Sequence, residues 1–266
     1  MKDRFGRTIR YLRVSVTDRC NLRCRYCMPQ GGEPRLPRGE ILSFEEIAGA
    51  VRTAASLGVD KVRLTGGEPL VRKGVVELVA MLSAVPGLRD LAMTTNGVLL
   101  AEHAGALARA GLRRVNVSLD TVDPERFREI TGGGDLERVL EGIEAARAAG
   151  LNPVKLNCVV ESGARGPDAE GVARYARERG LEVRFIPRMD LRKGTFGVVE
   201  SGGGGDCPRC NRLRLTSDGR VKPCLFSDLG FRVRELGARE AFRRAVEAKP
   251  ERGRVCRADG MHVLGG

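Results

Sequence analysis

The chain has no tryptophan, three tyrosines and two histidines among its 266 residues. Proteins that bind single-stranded nucleic acid commonly stack the bases on aromatic side chains, so this scarcity argues against such a partner. No apolar run reaches roughly 18 residues, the length that a membrane-spanning helix needs. The first residues also lack the apolar stretch of a signal peptide. We therefore expect a cytoplasmic protein with no nucleic-acid partner and no membrane partner.

Eight cysteines stand against this background, together with a formal net charge of +12. A basic excess suits nucleic acid, anionic lipid or a polyphosphate ligand. Disulfides are rare in a reducing cytosol, so clustered cysteines there indicate metal sites. Cys158 lies in an apolar run and is expected to be a buried core thiol, whereas Cys256 lies in a basic segment and is expected to be exposed and not a ligand. The other six form two groups: Cys20, Cys24 and Cys27, and Cys207, Cys210 and Cys224.

Short runs typical of β-strands alternate with amphipathic stretches typical of helices from Tyr11 to Pro187. Six such βα units predict a parallel sheet, for which we favour a partial (β/α)6 TIM-type barrel over a flat doubly wound sheet. Ser43, Asp123 and Asp168 suit helix N-caps, because a short oxygen-bearing side chain accepts a free backbone N–H. The predicted strands are Tyr11–Val16, Lys61–Thr65, Leu91–Thr95, Val115–Leu119, Val154–Val160 and Val183–Pro187.

The pattern changes after Met189, and three regions are expected. Residues 1–190 form the barrel, residues 191–206 form a glycine-rich linker, and residues 207–266 form a small C-terminal iron–sulfur module with a Gly265-Gly266 tail. Within that module, Leu236–Ala248 is predicted to be one helix.

Cys20, Cys24 and Cys27 have the spacing CxxxCxxC directly after the first predicted strand. Three thiolates so close in sequence can ligate one iron–sulfur cube and leave its fourth iron open to a small molecule. Structural zinc is the alternative, but it needs four ligands, and His103 and His262 lie far away in sequence.

This spacing, with Tyr26 before the third cysteine and the sequence Gly66-Gly67-Glu68-Pro69 after the second strand, resembles the radical S-adenosylmethionine (SAM) superfamily. The resemblance implies a [4Fe-4S] cluster whose open iron is chelated by SAM. Further residues are implied to bind this cofactor: Tyr26, Gly67, Glu68, Thr95, Ser118 and Lys155.

Cys207, Cys210 and Cys224 again supply three thiolates with no fourth ligand nearby, which indicates a second open cluster. Arg212 and Arg214 lie two residues apart, so they point the same way on an extended segment. Together with Leu12–Cys20 and the Gly265-Gly266 ending, this region resembles the GTP 3′,8-cyclase family of molybdenum cofactor biosynthesis.

That resemblance implies a second [4Fe-4S] cluster that contacts guanine, and cyclisation of GTP between ribose C3′ and guanine C8. It implies substrate contacts from Arg13, Lys61, Arg63, Arg212 and Arg214, with Arg13, Arg212 and Arg214 also catalytic. It further implies an electron donor such as flavodoxin or ferredoxin and a downstream cyclic pyranopterin monophosphate synthase, and it leaves a homodimer open.

The stretch between Met189 and Cys207 is shorter than the family's usual connection. A more open substrate pocket, or altered activity, is therefore a second hypothesis. A third is another two-cluster radical enzyme that acts on a peptide, against which Arg212 and Arg214 argue because paired arginines suit phosphate.

Overall fold

The structure is a computed structural model that describes residues 1–27, 35–161, 166–200, 203–258 and 260–265. Two parts of the predicted features lie outside the described residues. They are positions 201–202 of the predicted linker and the final Gly266.

One nine-stranded sheet organises the chain, in the order β6-β5-β4-β3-β2-β1-β7-β8-β9. Strands β1 to β7 pair in parallel, while β7–β8 and β8–β9 are antiparallel. The six predicted strands are confirmed as β1 to β6. The strand bounds are β1 Tyr11–Ser15, β2 Lys61–Thr65, β3 Asp90–Thr95, β4 Arg114–Ser118, β5 Lys155–Val160, β6 Glu182–Pro187, β7 Arg212–Leu215, β8 Arg220–Lys222 and β9 Phe231–Arg232.

Helices connect the parallel strands, as the alternating pattern predicts. Ser43 accepts a hydrogen bond from the N–H of Glu46, whose carboxylate accepts one from the N–H of Ser43, a capping box that begins α1. Among the residues that the structure describes, none of the helices has both the length and the apolar character that crossing a bilayer requires. The helix bounds are α1 Phe44–Ser56, α2 Val75–Ser83, α3 Leu100–Arg109, α4 Pro124–Thr131, α5 Leu136–Ala148, α6 Pro167–Glu178, α7 Val233–Leu236, α8 Ala238–Glu247 and α9 Met261–Leu264.

Two local predictions about helices are wrong. Asp168 is not an N-cap: Gly166 caps α6 and Pro167 is its first residue, a position that suits proline because no N–H is needed there. The predicted start of the helix over Leu236–Ala248 is also wrong: Leu236 ends α7, and the helix is confirmed as α8, which begins at Ala238 after Gly237, whose φ of 74° a helix cannot contain.

The sheet curls into a partial barrel. Strands β6 and β7 are six strand spacings apart in the sheet order, which would separate them by roughly 29 Å in a flat sheet. Yet Arg184 of β6 and Arg212 of β7 line the same cavity. The partial barrel is therefore confirmed, and the flat doubly wound alternative is wrong.

Alternate strand residues face opposite sides of this curled sheet. Leu12 and Val14 of β1 are fully buried in the core with residues of the surrounding helices, while Arg13 between them lines the interior cavity. The alternation follows from the two-residue period of a β-strand. It makes the barrel interior polar and basic, while the apolar core lies between sheet and helices.

The C-terminal region does not stand apart from the barrel, because β7 pairs with β1. The expected boundaries at 190 and 206 stay a prediction. Cys158 is buried as predicted. The predicted exposure of Cys256 is wrong, because this residue is also fully buried. Its N–H donates to the carbonyl of Leu191, and its side chain packs in a second apolar cluster with Leu191, Leu225, Phe226 and Leu264.

Candidate active site

Three adjoining cavities occupy the barrel and its open side. The upper cavity, of about 180 Å³, lies at the carboxyl ends of the strands and contains Cys20, Cys24 and Cys27 in its lining. The lower cavity, of about 350 Å³, lies deeper among the strands, and the side cavity, of about 100 Å³, contains the three later cysteines. Met189 lines all three, so they adjoin one another.

The upper cavity brings together most of the predicted cofactor residues. The cysteine loop follows β1 and is held by backbone hydrogen bonds from Arg23 to Thr131 (2.8 Å) and from Arg25 to Ile130 (3.0 Å). Burial raises the pKa of Cys24 to about 12 and also raises that of Cys20. The predicted residues in this lining are Cys20, Cys24, Cys27, Tyr26, Gly67, Glu68, Thr95 and Ser118.

Gly66 and Gly67 allow the loop after β2 to pack against the segment before Cys20. A Cβ atom on Gly66 would lie 2.6 Å from the carbonyl oxygen of Thr17, and one on Gly67 would lie 2.4 Å from that of Arg19. The N–H groups of Gly67 and Glu68 donate to these same carbonyls, both at 2.8 Å. Glycine is therefore needed at both positions because two backbone segments pack against each other there. This packing accounts for the glycines without the SAM contact that the resemblance implies for Gly67.

Glu68 is 1% exposed and its carboxylate accepts three hydrogen bonds. The donors are the N–H of Leu70 at 3.0 Å, the hydroxyl of Thr95 at 2.8 Å and the N–H of Asn96 at 2.6 Å. Burial raises the pKa of Glu68 to about 7, because these hydrogen bonds, which favour the charged form, only partly offset the loss of hydration. A cationic group in the upper cavity would restore its charge.

Tyr26 is oriented by a second acid, the half-buried Asp120, which the sequence reasoning missed. The hydroxyl of Tyr26 donates to Asp120 at 2.7 Å, and the N–H of Val159 donates to the same carboxylate at 2.8 Å. Burial raises the pKa of Asp120. The signal in the sequence was a lone acid directly after the fourth predicted strand, where barrel enzymes place functional groups.

Lys155 is the predicted cofactor residue that the structure does not bring to the upper cavity. It begins β5, so it lies at the amino end of a strand whose later residues Asn157 and Val159 line the cavity. Its ammonium pairs instead with Glu182 on the neighbouring strand. Its role in cofactor binding stays a prediction that this placement does not favour.

The lower cavity contains a row of three arginines on adjacent strands, here called the arginine row: Arg63, Arg13 and Arg214. Arg13 is the register partner of Arg63 on β2 and of Arg214 on β7. Burial lowers the pKa of Arg13 to about 9 and that of Arg214 to about 10. Like charges held side by side in a desolvated space need an anion between them. The remaining predicted substrate residues, Lys61 and Arg212, line the same cavity.

Two further residues of the lower cavity were missed. Arg184 of β6 lines it, and the Nε atoms of Arg63, Arg184 and Arg212 are buried without a hydrogen-bond partner in the described part of the chain. Tyr11 lies among them, with the guanidinium carbons of Arg212 and Arg63 at 5.6 and 6.0 Å from its ring centroid. A charged residue at an inward register position of β6 was the available signal for Arg184.

The side cavity is lined by the predicted second triad, Cys207, Cys210 and Cys224, together with Arg212, Arg214 and Lys249. Burial raises the pKa of Cys210, but the ammonium of Lys249 and nearby donors outweigh it, so the pKa of this thiol falls below its usual value. For Cys224 burial prevails and raises the pKa.

Neither triad is gathered around a single point. Among the described residues, no three Cys, His, Asp or Glu side chains lie close enough together to hold one metal ion. Each triad instead borders a cavity, an arrangement that a ligand larger than one ion can fill. A triad of cysteines without a fourth Cys or His in the same described lining fits an iron–sulfur cube with one open iron.

The end of the chain reaches the junction of the upper and lower cavities. Arg214 donates to the carbonyl of Gly265 at 2.7 Å and to that of Leu264 at 3.2 Å. A Cβ atom on Gly265 would lie 2.1 Å from the hydroxyl of Thr65, so only glycine fits there. The described tail therefore contacts one member of the arginine row and the carboxyl end of β2.

Comparison with known proteins agrees with this geometry. The Radical SAM superfamily matches residues 14–185, more than half of the chain. The GTP 3′,8-cyclase of Geobacter sulfurreducens is 43% identical over 302 aligned positions, which cover 94% of this chain and 93% of that protein. The GTP 3′,8-cyclase of Pelotomaculum thermopropionicum is 44% identical over 307 positions, with 95% and 94% covered. These aligned lengths exceed 266 residues, so both relatives contain residues without a counterpart here.

Solved structures share the fold at low identity. Native anSMEcpe with bound AdoMet has a TM-score of 0.63 at 17% identity, over 91% of this chain and 81% of that chain. Streptococcus suis SuiB bound to S-adenosylmethionine has a TM-score of 0.59 at 16% identity, over 85% of this chain and 61% of that one, so this chain spans less than two thirds of SuiB. With the matched sequences and the paired cysteine triads, these findings establish that the chain belongs to the GTP 3′,8-cyclase family of the radical SAM superfamily.

Proposed function

We infer that this protein is a radical SAM GTP 3′,8-cyclase, a lyase that converts GTP to (8S)-3′,8-cyclo-7,8-dihydroguanosine 5′-triphosphate in molybdenum cofactor biosynthesis. One observation carries the inference. Three adjoining cavities contain the first cysteine triad, the arginine row and the second cysteine triad. GTP matches this order, because it joins a polyanion to a base that the second cluster can contact.

Cys20, Cys24 and Cys27 would hold one [4Fe-4S] cluster, and Cys207, Cys210 and Cys224 would hold the other. When bound, a cluster there with SAM would supply radical chemistry, namely the means to remove a hydrogen atom from the substrate ribose. The protein's own contribution is to hold the reacting groups at contact distance, which raises the rate without further chemistry. Glu68 and the Tyr26–Asp120 pair would fix the SAM end of the cavity.

The arginine row and Arg212 would hold the triphosphate. Arginine binds phosphate oxygens through two parallel N–H groups, and the buried Nε atoms of Arg63 and Arg212 are available donors in the described structure. Arg13, Arg212 and Arg214 are proposed as catalytic. Arg212 and Arg214 line both the lower cavity and the side cavity with the second triad, and Arg13 is the register partner of Arg214 in the lower cavity. We propose that activity is retained despite the short connection before Cys207. Four of its described residues still line the lower cavity: Met189, Val199, Gly203 and Gly204.

The glycine tail is proposed to be needed for cyclisation, because Gly265 connects Arg214 to the upper cavity through Thr65. A truncation lacking Gly265 and Gly266 should still cleave SAM but yield far less cyclised product. Full cyclase turnover in that truncation would refute the proposed role.

The protein partners and the cellular location are also proposals. An electron donor such as flavodoxin or ferredoxin would reduce the clusters, and a cyclic pyranopterin monophosphate synthase would consume the product. A homodimer and a cytoplasmic location stay predictions from the sequence.

The test is anaerobic incubation of the iron–sulfur-reconstituted protein with SAM, dithionite and GTP, read by mass spectrometry. We expect 5′-deoxyadenosine together with an isomer of GTP. Deoxyadenosine without a GTP-derived product would overturn the substrate and favour a radical enzyme that acts on another molecule, such as a peptide.

A further inference from the structure

Lys249 is a fully buried lysine beside the second cysteine triad. It follows α8, is 1% exposed and lines the side cavity. Its Nζ donates to the carbonyl of Arg212 at 2.7 Å and to that of Pro223 at 2.8 Å, and it lies 3.5 Å from the Sγ of Cys210. The three donors of the ammonium therefore reach both chain segments that carry Cys210 and Cys224.

The charge of Lys249 has no carboxylate partner within the described residues. Burial of an ammonium without a counter-charge is strongly unfavourable. The electron-rich groups at this position are the sulfur atoms of the side cavity, which carry negative charge when they ligate iron. The buried position of Lys249 is thus explained when the triad holds an anionic cluster.

Arg7 lies in the same region as Lys249 but, unlike Lys249 within the described residues, has a carboxylate partner. Its guanidinium donates to the carbonyl of Cys207 at 2.8 Å and to that of Pro250 at 2.7 Å, so it also secures the segment next to Lys249. Asp3 neutralises Arg7 through a 2.6 Å ion pair. Arg7 can therefore position the backbone, whereas Lys249 can both position it and supply net charge to the sulfur ligands.

We propose that Lys249 is a positioning residue of the second cluster, which joins the Cys210 and Cys224 segments and raises the reduction potential of the cluster they hold. The proposal rests on the second cluster of the proposed function. A positive charge and an N–H donor beside a sulfur ligand both stabilise the more negative, reduced cluster. The residue acts through the ligands and needs no contact with GTP.

The test isolates the second cluster by replacing Cys20, Cys24 and Cys27 with alanine in the full-length chain. In this background we compare Lys249→Met, Lys249→Gln, Lys249→Arg and Lys193→Met, where Lys193 is a control lysine whose side chain is 81% exposed. After reconstitution, each variant is checked by circular dichroism for folding and by chemical analysis for iron and sulfide. Electron paramagnetic resonance during a dithionite redox titration then gives the midpoint potential.

We expect Lys249→Met to hold less iron, or to hold a cluster whose reduced-to-oxidised ratio at a fixed potential falls about tenfold, which is about 59 mV for one electron. Lys249→Arg and Lys193→Met should retain the parent potential. A folded Lys249→Met protein with full iron and the parent potential would overturn the proposal. If Lys249→Met does not fold, Lys249→Gln decides in the same way, because it removes the charge but keeps N–H donors.

The same experiment distinguishes failure of the proposed function from failure of the role of Lys249. If the background protein with intact Lys249 binds no iron, the second cluster itself is wrong, and the proposed function fails at that point. If it binds iron and the variants match it, only the role of Lys249 is overturned.

Discussion

The two cysteine triads have similar ligands but opposite electrostatic surroundings. Beside the first triad lie the buried Glu68 and the half-buried Asp120. Burial is the main cause of the raised pKa values of Cys20 and Cys24, and these carboxylates add to it, Glu68 at Cys20 and Asp120 at Cys24. Beside the second triad lie Arg212, Arg214 and Lys249, which act to lower the pKa values of the neighbouring thiols. In the sequence the triads look alike because each supplies three cysteines, whereas the fold gives them different chemistry.

The difference matches the molecules that each end of the cavity would hold. SAM carries a sulfonium and an ammonium, which are stabilised by nearby carboxylates, whereas GTP carries a triphosphate, which is stabilised by arginines. A cluster held by either triad would therefore lie in an electrostatic field that favours the molecule expected at that end. If the two ends are electrostatically separate, a substitution at one end should leave the other end unaffected.

The largest effect is expected from Cys24→Ala. Loss of one of three ligands should prevent assembly of the first cluster, so 5′-deoxyadenosine formation should fall to background while the second cluster keeps its iron. Iron analysis and product mass spectrometry measure both. Cys158→Ala is the matched control, since Cys158 is a buried thiol outside both linings and should leave iron content unchanged. Loss of all iron in Cys24→Ala would show that the two ends do not assemble independently.

How much of the fold and of the site could be predicted from the sequence depends on how close the residues concerned lie along the chain. Cys20, Cys24 and Cys27 lie within one short loop, so their spacing alone indicates a shared ligand. The six βα units were likewise predictable, because each has its own apolar period. The pairing of β7 with β1 was not, because it joins residues about 200 positions apart, beyond the reach of periodicity.

Contacts between distant parts of the chain also explain why several residues of the site could not be predicted. Arg184, Asp120 and Lys249 gain their significance from neighbours on other elements. Cys256 appeared exposed because Arg254 and Arg257 flank it, yet these arginines are exposed while the thiol packs inward. Composition near a residue does not show which way its side chain points.

The second largest effect concerns Glu68 and pH. Its pKa of about 7 lies above the usual value of 4.5, so its contribution to stability is fully present below pH 4.5 and is lost as pH rises through 7. At 1.36 kcal/mol per pKa unit, this lowers the free energy of unfolding of the cofactor-free protein by about 3 kcal/mol across that window. Glu68→Gln should remove most of this slope in denaturant titrations between pH 5 and 7.

A matched surface variant controls for general charge effects on this slope. Glu137→Gln removes an exposed carboxylate from the first turn of α5 and should leave the pH dependence unchanged. An equal slope in Glu68→Gln and the parent would contradict the raised pKa of Glu68, and would mean that its carboxylate is already charged without a cation in the upper cavity.

A smaller effect is expected from Arg184→Met at the basic end. A hydrogen bond to a charged group contributes about 1.5–3 kcal/mol, so the KM for GTP should rise roughly 10- to 150-fold. The KM for SAM should stay the same, because Arg184 lines the lower cavity and not the upper one. Arg109→Met, an exposed arginine in the last turn of α3, removes the same charge elsewhere and should change neither value. A parallel rise in both KM values would contradict separate fields.

The smallest effect is expected where Asp120 orients Tyr26. One hydrogen bond contributes about 0.5–1.5 kcal/mol net, so Asp120→Asn should raise the KM for SAM by roughly 2- to 12-fold and leave the KM for GTP unchanged. Tyr26→Phe removes the same bond from its other side and should have a similar effect. If the bond is the cause, the double variant should be no worse than either single variant, because the same interaction cannot be lost twice. Additive losses would instead mean that Asp120 acts through its charge on the thiols of the first triad.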